Sequence, residues 1–459
     1  MKDFPLYEFY WEGKAESKLL STSTTSKQLI LDEKRSKNLN STRNIYIEGD
    51  NLDGLKLLLA DYKNKVKMIY IDPPYNTRNS FVYNDDYKLK TDKRKSKNTS
   101  ETEISRRYHI NWLNMIYPRL LIAKELLKKD GIIFISIDDT EIFNLKLICD
   151  EVFGESNFIS CCTRVAKRTS NKGTFFKSTK DYVLVYAKEV SALDGVQFEV
   201  QPDINLEDFK YQDKYGRYKK SGASLYQPSL EPRVNQRYYI ECPDGSFVIP
   251  PGNVFPDEVS DGAIIKPVSN EDKCWRWSRE TYLKKKDFLM FSKARKNCPL
   301  IDSEGNPSKW NVYDKVYYDD KKKETLRPED VIYDYPNSKG TKELLELGIS
   351  FSFAKPSGLI KYLMKISGLK NEDIILDFFG GSGTTAHACM QLNSEDNGKR
   401  RFIIIQLEES LEEKTEAYNK GYKTISELGI DRINKVGDKI VLKNPDSIID
   451  TGFRVYKIV

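Results

Sequence analysis

Val66-Lys-Met-Ile-Tyr-Ile-Asp-Pro-Pro-Tyr75 is an apolar strand that runs without a spacer into an acidic corner made of two prolines. Met68, Ile69 and Ile71 give it the near-continuous apolar run of a strand covered on both faces, as in a parallel sheet. Upstream, Asn44-Ile-Tyr-Ile-Glu-Gly-Asp50 reads as a short strand ending in a turn, and Leu52, Leu55, Leu58 and Leu59 follow at helical spacing. Downstream, an amphipathic helix over 112–129 closes at Asp130-Gly131, and Ile132-Ile-Phe-Ile-Ser-Ile137 is a strongly apolar strand. After Asp138-Asp139 a helix runs to about Phe153, and Lys180-Asp-Tyr-Val-Leu-Val-Tyr-Ala187 is another strand. This alternation predicts an α/β fold: a doubly wound, largely parallel, Rossmann-like sheet with helices on both faces.

The texture changes at about 189. From there to 339 the chain is rich in Tyr, Lys, Arg, Pro and Asp and has no sustained helical period, so a separate, mainly β or irregular domain is expected. Alternation returns over 340–459, with a helix around 358–366, the strand Asp373-Ile-Ile-Leu-Asp377, a glycine loop, a helix through Met390 and the strand Arg401-Phe-Ile-Ile-Ile405. One sheet is thus split in sequence, its halves at 44–188 and 340–459, by an insertion at 189–339. Residues 1–43, polar and rich in Ser, Thr and Lys, read as an irregular N-terminal arm.

Two segments carry chemistry. In Asp72-Pro73-Pro74-Tyr75 the prolines fix φ and remove two N–H donors, leaving a stiff wall that only accepts hydrogen bonds. Such a corner suits the exocyclic amine of a nucleobase, whose lone pair is delocalised into the ring. A carboxylate (Asp72) and a backbone carbonyl, each accepting one N–H, draw the nitrogen toward tetrahedral geometry, and Tyr75 offers a flat face for a flipped base. The bland alternative is an ordinary Pro-Pro turn.

Asp377-Phe-Phe-Gly-Gly-Ser-Gly-Thr-Thr385 is a glycine loop between a strand and a helix, the usual ligand position in a doubly wound sheet. Gly381 and Gly383 let the backbone approach a ligand, and Thr384 and Thr385 offer hydroxyls or N–H groups at the helix start. The loop lacks the lysine of a phosphate-binding GxxxxGK[ST] motif, and alone it fits dinucleotide, phosphate or adenosylmethionine sites, or a plain tight turn. Downstream, Gln406-Leu-Glu408-Glu409 ends a strand where an acidic side chain can hold ribose hydroxyls. Both segments fall at the C-terminal ends of expected parallel strands, the ligand-binding edge.

Composition narrows the classes. The chain has 459 residues, 39% hydrophobic and 31% charged, with a net charge of +6, a mild excess that fits a polyanionic partner. Two histidines and seven scattered cysteines without CxxC spacing argue against a metal site and for a reducing cytoplasm. No apolar run approaches the ~20 residues of a membrane span, and the N-terminus has no signal-peptide core. Lys88, Lys90, Lys93, Arg94, Lys95 and Lys97 crowd one insert that suits either DNA phosphates or solvent, and Trp275 and Trp277 read as core rather than base wedges.

With these motifs in this order, the chain resembles the β-order amino-methyltransferases of DNA, in which the catalytic half precedes the cofactor half and a target-recognition domain lies between them. Ile47-Glu-Gly-Asp-Asn-Leu52, Tyr70-Ile-Asp-Pro-Pro-Tyr-Asn-Thr77 with Phe81-Val-Tyr-Asn84, Tyr117-Pro-Arg-Leu120 with Asp130-Gly-Ile-Ile-Phe-Ile-Ser-Ile-Asp-Asp139, Phe353-Ala-Lys-Pro-Ser357 and Gly452-Phe-Arg-Val-Tyr456 are similar to the modification (Mod) subunit of type III restriction–modification systems. The resemblance implies a site-specific, adenine-specific DNA methyltransferase that uses S-adenosylmethionine on double-stranded DNA, as a homodimer, with a restriction (Res) nuclease subunit as partner. It implies that Asp72, Pro73, Pro74 and Tyr75 form the adenine pocket. Asp377, Phe379, Gly381, Gly383 and Thr384, joined by Asp50 and Lys355, would line the cofactor site. The acidic ribose ligand of many relatives falls at or near Gln406 here, which makes Glu408 a candidate. The chain stops just after Tyr456, where Mod subunits usually continue, so a truncated chain that binds without turnover is the non-enzymatic alternative. N4-cytosine methylation uses the same geometry, but Ser rather than Asp at the first motif position would favour it.

Overall fold

Successive side chains of a strand point to opposite faces, and the central strands use both. In the computed structural model, Ile69 and Ile71 enter one core and Met68 and Tyr70 the other; Ile374 and Leu376 are likewise opposed to Ile375. The structure describes residues 8–459 except 77–100, 168, 170–174, 196, 203, 295–297, 352–353 and 446–448. The lysine-rich insert and the segments Phe81–Asn84 and Phe353 therefore lie outside the described residues.

The large sheet has ten strands: β1 (Leu29–Lys37), β2 (Ile45–Glu48), β3 (Val66–Ile71), β4 (Leu127–Ile137), β5 (Phe158–Val165), β6 (Lys180–Ala187), β7 (Val331–Ile332), β8 (Ile374–Asp377), β9 (Arg401–Gln406) and β10 (Phe453–Ile458). Their spatial order is β1-β10-β2-β9-β8-β3-β4-β6-β5-β7. The six strands from β10 to β4 are all parallel; β6 is antiparallel to both neighbours and β1 is antiparallel to β10. Helices α2 (Asn51–Tyr62), α3 (Glu101–Leu126) and α4 (Ile142–Phe153) pack into one core. Helices α6 (Ser357–Ile366), α7 (Thr384–Asp396) and α8 (Ile425–Lys443) pack into the other; a short α5 (Asn337–Leu345) and, near the N-terminus, α1 (Lys14–Thr22) complete the set used below. The doubly wound sheet is as expected.

The split point is the useful feature. From β8 the chain crosses through α7 to β9 on one side, and from β3 it crosses through α3 to β4 on the other, with the two helices on opposite faces. β8 and β3 are adjacent and parallel, Leu376 opposite Ile69. Their C-terminal ends therefore flank the topological switch point, where open α/β sheets bind ligands.

Two local readings differ from the sequence. The helix expected over 112–129 runs instead over Glu101–Leu126, and β4 begins at Leu127. Val66 pairs with Leu127 and Met68 already with Ile132, so Lys128–Gly131 bulge out of the ladder; a bulge interrupts period-2 patterning and hides the strand start. The N-terminal arm is not irregular: it holds α1 and the edge strand β1, which pairs Leu29 with Ile458 at the other end of the chain. Its sequence, Leu-Ile-Leu-Asp-Glu-Lys-Arg-Ser-Lys, carries little alternation because a single neighbour defines it.

Contacts divide the chain into one unit of residues 1–200 with 327–459 and a second of 201–326. The second has an antiparallel four-stranded sheet in the order Leu289–Lys293, Trp310–Tyr317, Gly216–Ser224, Tyr211–Asp213. Its core centres on Trp275, fully buried with Nε1 donating to Tyr238 O at 2.8 Å, and on Tyr238 stacked 5.0 Å from Tyr282.

Candidate active site

Asp72 follows the last residue of β3, and Asp377 is the last residue of β8. Residues 305 apart in sequence (377 − 72) thus end neighbouring strands at the switch point. Lys355, just before α6, joins them: its Nζ donates to Asp72 Oδ2 at 2.6 Å and to Tyr75 Oη at 2.8 Å, and sits 5.0 Å from the Tyr75 ring centroid. The lysine side chain is only 9% exposed. Asp72 Oδ1 is buried and has no hydrogen-bond partner among the described residues. An unpaired buried carboxylate oxygen is costly, so this atom is an acceptor awaiting a donor. Burial and the Asp72 charge raise the Tyr75 phenol well above its ordinary pKa, which keeps it a neutral aromatic surface.

The proline corner is braced from α3. Trp112, fully buried, donates Nε1–H to Pro74 O at 2.7 Å. Asn76, at positive φ, donates to the buried Glu141, whose Oε1 also meets His109 Nδ1 at 2.5 Å. Pro74 O is thereby engaged inside the corner.

The glycine loop is tightly built below and open above. A Cβ on Gly380 would lie 2.3 Å from Ile404 Cγ2, and one on Gly383, at φ +76°, 3.1 Å from Gly429 O. On Gly381 it would meet only Phe379 O, at 3.8 Å. That open face is what backbone approach to a ligand needs. Asp377 anchors the loop by accepting from Phe379 N at 3.1 Å and from Thr385 Oγ1 at 2.5 Å. Burial raises its carboxyl to about 7, against the lowering effect of those two bonds and with a further push from the Asp72 charge. Gln406 accepts from Gly381 N at 2.7 Å, so its carbonyl oxygen is spent on the loop itself. Glu408 is exposed two residues past β9.

Asp50 caps α2 by accepting from Leu52 N at 2.8 Å and receives Arg119 Nη2 at 3.4 Å. Its neighbour Asn51 donates to Phe378 O at 2.7 Å and so ties the α2 N-terminus to the glycine loop. The structure therefore brings Asp72, Pro73, Pro74, Tyr75 and Lys355 together, and groups Asp377, Phe379, Gly381, Gly383, Thr384, Thr385 and Gln406 at the adjacent strand end, with Asp50 tied in through Asn51. Trp112, Asn51 and Arg432, the last described below, were not singled out in the sequence. Asn51 had a signal, lying in the Gly-Asp-Asn-Leu turn; Trp112 and Arg432 looked like ordinary helix residues.

Residues 66–417 match the family model described as DNA methylase. Over 98% of its length the chain is 35% identical to the Mod subunit of the type III restriction–modification enzyme EcoPI of Escherichia phage P1, covering 71% of that protein. It is 32% identical, over 99% of its length, to the EcoP15I Mod subunit of Escherichia coli, again covering 71%. A shorter relative is the type II methyltransferase M.KpnI of Klebsiella pneumoniae, 32% identical over 87% of this chain and 89% of that protein.

Proposed function

The chain belongs to the DNA methylase family, and we propose that it moves a methyl group from S-adenosylmethionine to the exocyclic N6 of an adenine turned out of duplex DNA, within a restriction–modification system. One observation carries the reading: the buried, unpartnered Oδ1 of Asp72 stands at the strand end beside the glycine loop. The loop fits the cofactor, being open at Gly381 and held in shape by the buried Asp377 through Phe379 N and Thr385 Oγ1. When bound, S-adenosylmethionine supplies an electrophilic methyl on sulfonium.

The chain's own groups prepare the nucleophile. Asp72 Oδ1 and Pro73 O accept hydrogen bonds from the two N6–H groups, which draws the nitrogen out of conjugation and frees its lone pair. Lys355 holds Oδ2 and so fixes the carboxylate rotamer. Tyr75 stacks on the purine. Methyl transfer from the bound cofactor would leave its sulfur as a neutral thioether and one surplus proton on N6, which Asp72 Oδ1 is placed to take and hand to water.

Basic and aromatic residues around the same edge support a DNA partner. β6 is antiparallel to β4, so the β5–β6 connection lies at the C-terminal edge of β4; it carries Lys167 and Lys177 and the exposed Phe175 and Phe176. Because its relatives are named Mod subunits of type III restriction–modification enzymes, we extend the proposal to a Res nuclease partner, and add a homodimeric state and a cytoplasmic location as expectations of the same reading; no described helix is long and apolar enough to cross a membrane.

The test is nucleoside mass spectrometry of DNA incubated with the chain and labelled cofactor. Label in N6-methyladenine is expected. Label in N4-methylcytosine, the reading that shares this geometry, or in no base at all, would refute it.

A further inference from the structure

Helix α8 contributes one side chain that the reaction above does not use. Arg432 is fully buried, yet its only carboxylate contact among the described residues is Glu343 Oε2 at 3.3 Å, and burial lowers its pKa to about 10. A buried guanidinium so weakly paired costs more than an apolar residue of similar size, so packing does not account for it.

Its other contacts converge on the cofactor loop. Nη1 donates to Ser382 Oγ at 2.9 Å and to Thr384 Oγ1 at 2.7 Å. Nε and Nη2 lie 3.2 and 3.1 Å from Nδ1 of the buried His387 on α7, an imidazole held neutral by burial and by the Arg432 charge. Two links continue to the lysine of the pocket. Thr384 Oγ1 lies 3.4 Å from Lys355 O, and Glu343 Oε2, besides meeting Arg432, accepts from Ser357 N at 2.9 Å at the start of α6.

Resting on the methyltransfer reading, we propose that Arg432 is a positioning residue that locks the glycine loop and the Lys355 segment into one arrangement, setting the cofactor against the Asp72 carboxylate. The planar guanidinium suits this because it directs five N–H donors at once to acceptors on the loop, α5 and α7; an ammonium carries three donors at one point.

The test is a double-mutant cycle on the full chain with Arg432→Lys and Thr384→Val, reading the Kd for S-adenosylmethionine by calorimetry, the DNA Kd by anisotropy, and single-turnover methyl transfer. Thr384→Val keeps the buried volume and leaves Arg432 in place, so it reports even where Arg432→Lys folds poorly. Each substitution is expected to weaken cofactor binding about tenfold, the scale of one lost charge-assisted hydrogen bond, and to slow transfer at saturating cofactor, with DNA affinity unchanged. The pair is expected to do little more than the larger single change. Additive effects, or losses spread equally over cofactor and DNA affinity, would overturn the proposal. The cofactor arm reads out without DNA, so a wild-type chain that binds cofactor but never methylates DNA would count against the methyltransfer reading alone.

Discussion

Lys355 donates to one oxygen of Asp72 and leaves the other bare, and that asymmetry yields the first prediction. Lys355→Met keeps an unbranched side chain of similar length in this buried position, but the carboxylate loses its ammonium partner. Methyl transfer at saturating cofactor is expected to fall on the order of 100-fold, matching about 3 kcal/mol for a charge-assisted bond, as rapid quench would measure. Asp377 yields the second. Its folded pKa is raised to about 7, mainly by burial, from an ordinary carboxylate value. The sign follows: the stability it contributes is complete below the unfolded pKa, declines as pH rises, and levels off above about 7, where the folded group ionises too. Between pH 6 and pH 8 this one group should remove about 1.4 kcal/mol of stability. Asp377→Asn should unfold in denaturant with a midpoint flatter across that interval than the wild type; equal slopes would contradict the assignment.

At the scale of elements, the site is a product of crossovers. Helix α3 returns from β3 to β4 and delivers Trp112 onto the carbonyl of Pro74. Trp112→Phe keeps most of the buried ring and loses the donor, so a stability loss of about 1 kcal/mol is expected. Transfer should slow while the cofactor Kd stays put, which stopped-flow and calorimetry separate. The elements were also where sequence was most and least legible. β3 and β6 could be bounded to the residue, because an apolar strand buried on both faces ends sharply at an acidic corner or a lysine. β1 could not, since its pairing partner lies more than 400 residues away and its own composition is polar. The bulge at 128–131 likewise exists only in relation to β3. Of the site, the motif residues were legible because each sits in a turn whose φ restrictions leave a mark on sequence. Trp112 and Arg432 were not, because a helix tolerates them anywhere and only tertiary packing aims them.

At the scale of the whole chain, the sheet is interrupted and resumes where it left off. Arg327 Nη1 donates to the carbonyl of Gln197 at 2.9 Å, so the points where the chain leaves and re-enters the large unit are adjacent. Replacing 201–326 by a short glycine linker should therefore leave a folded sheet, since loop closure over a gap already closed costs little. That deletion is expected to keep cofactor affinity within a few-fold and to lose sequence-dependent DNA binding, as calorimetry and electrophoretic shifts would show. A deletion that cannot bind cofactor would mean the two units do not fold independently.

The account depends on the carboxylate at the end of β3 acting on a substrate presented beside the loop at the end of β8. Single-turnover transfer by Asp72→Ala, with cofactor binding measured on the same preparation, addresses this most directly. S-adenosylmethionine should bind with wild-type affinity while methyl transfer to adenine disappears. Transfer that survives the substitution, or cofactor affinity that collapses along with it, would contradict the division of labour between the two strand ends.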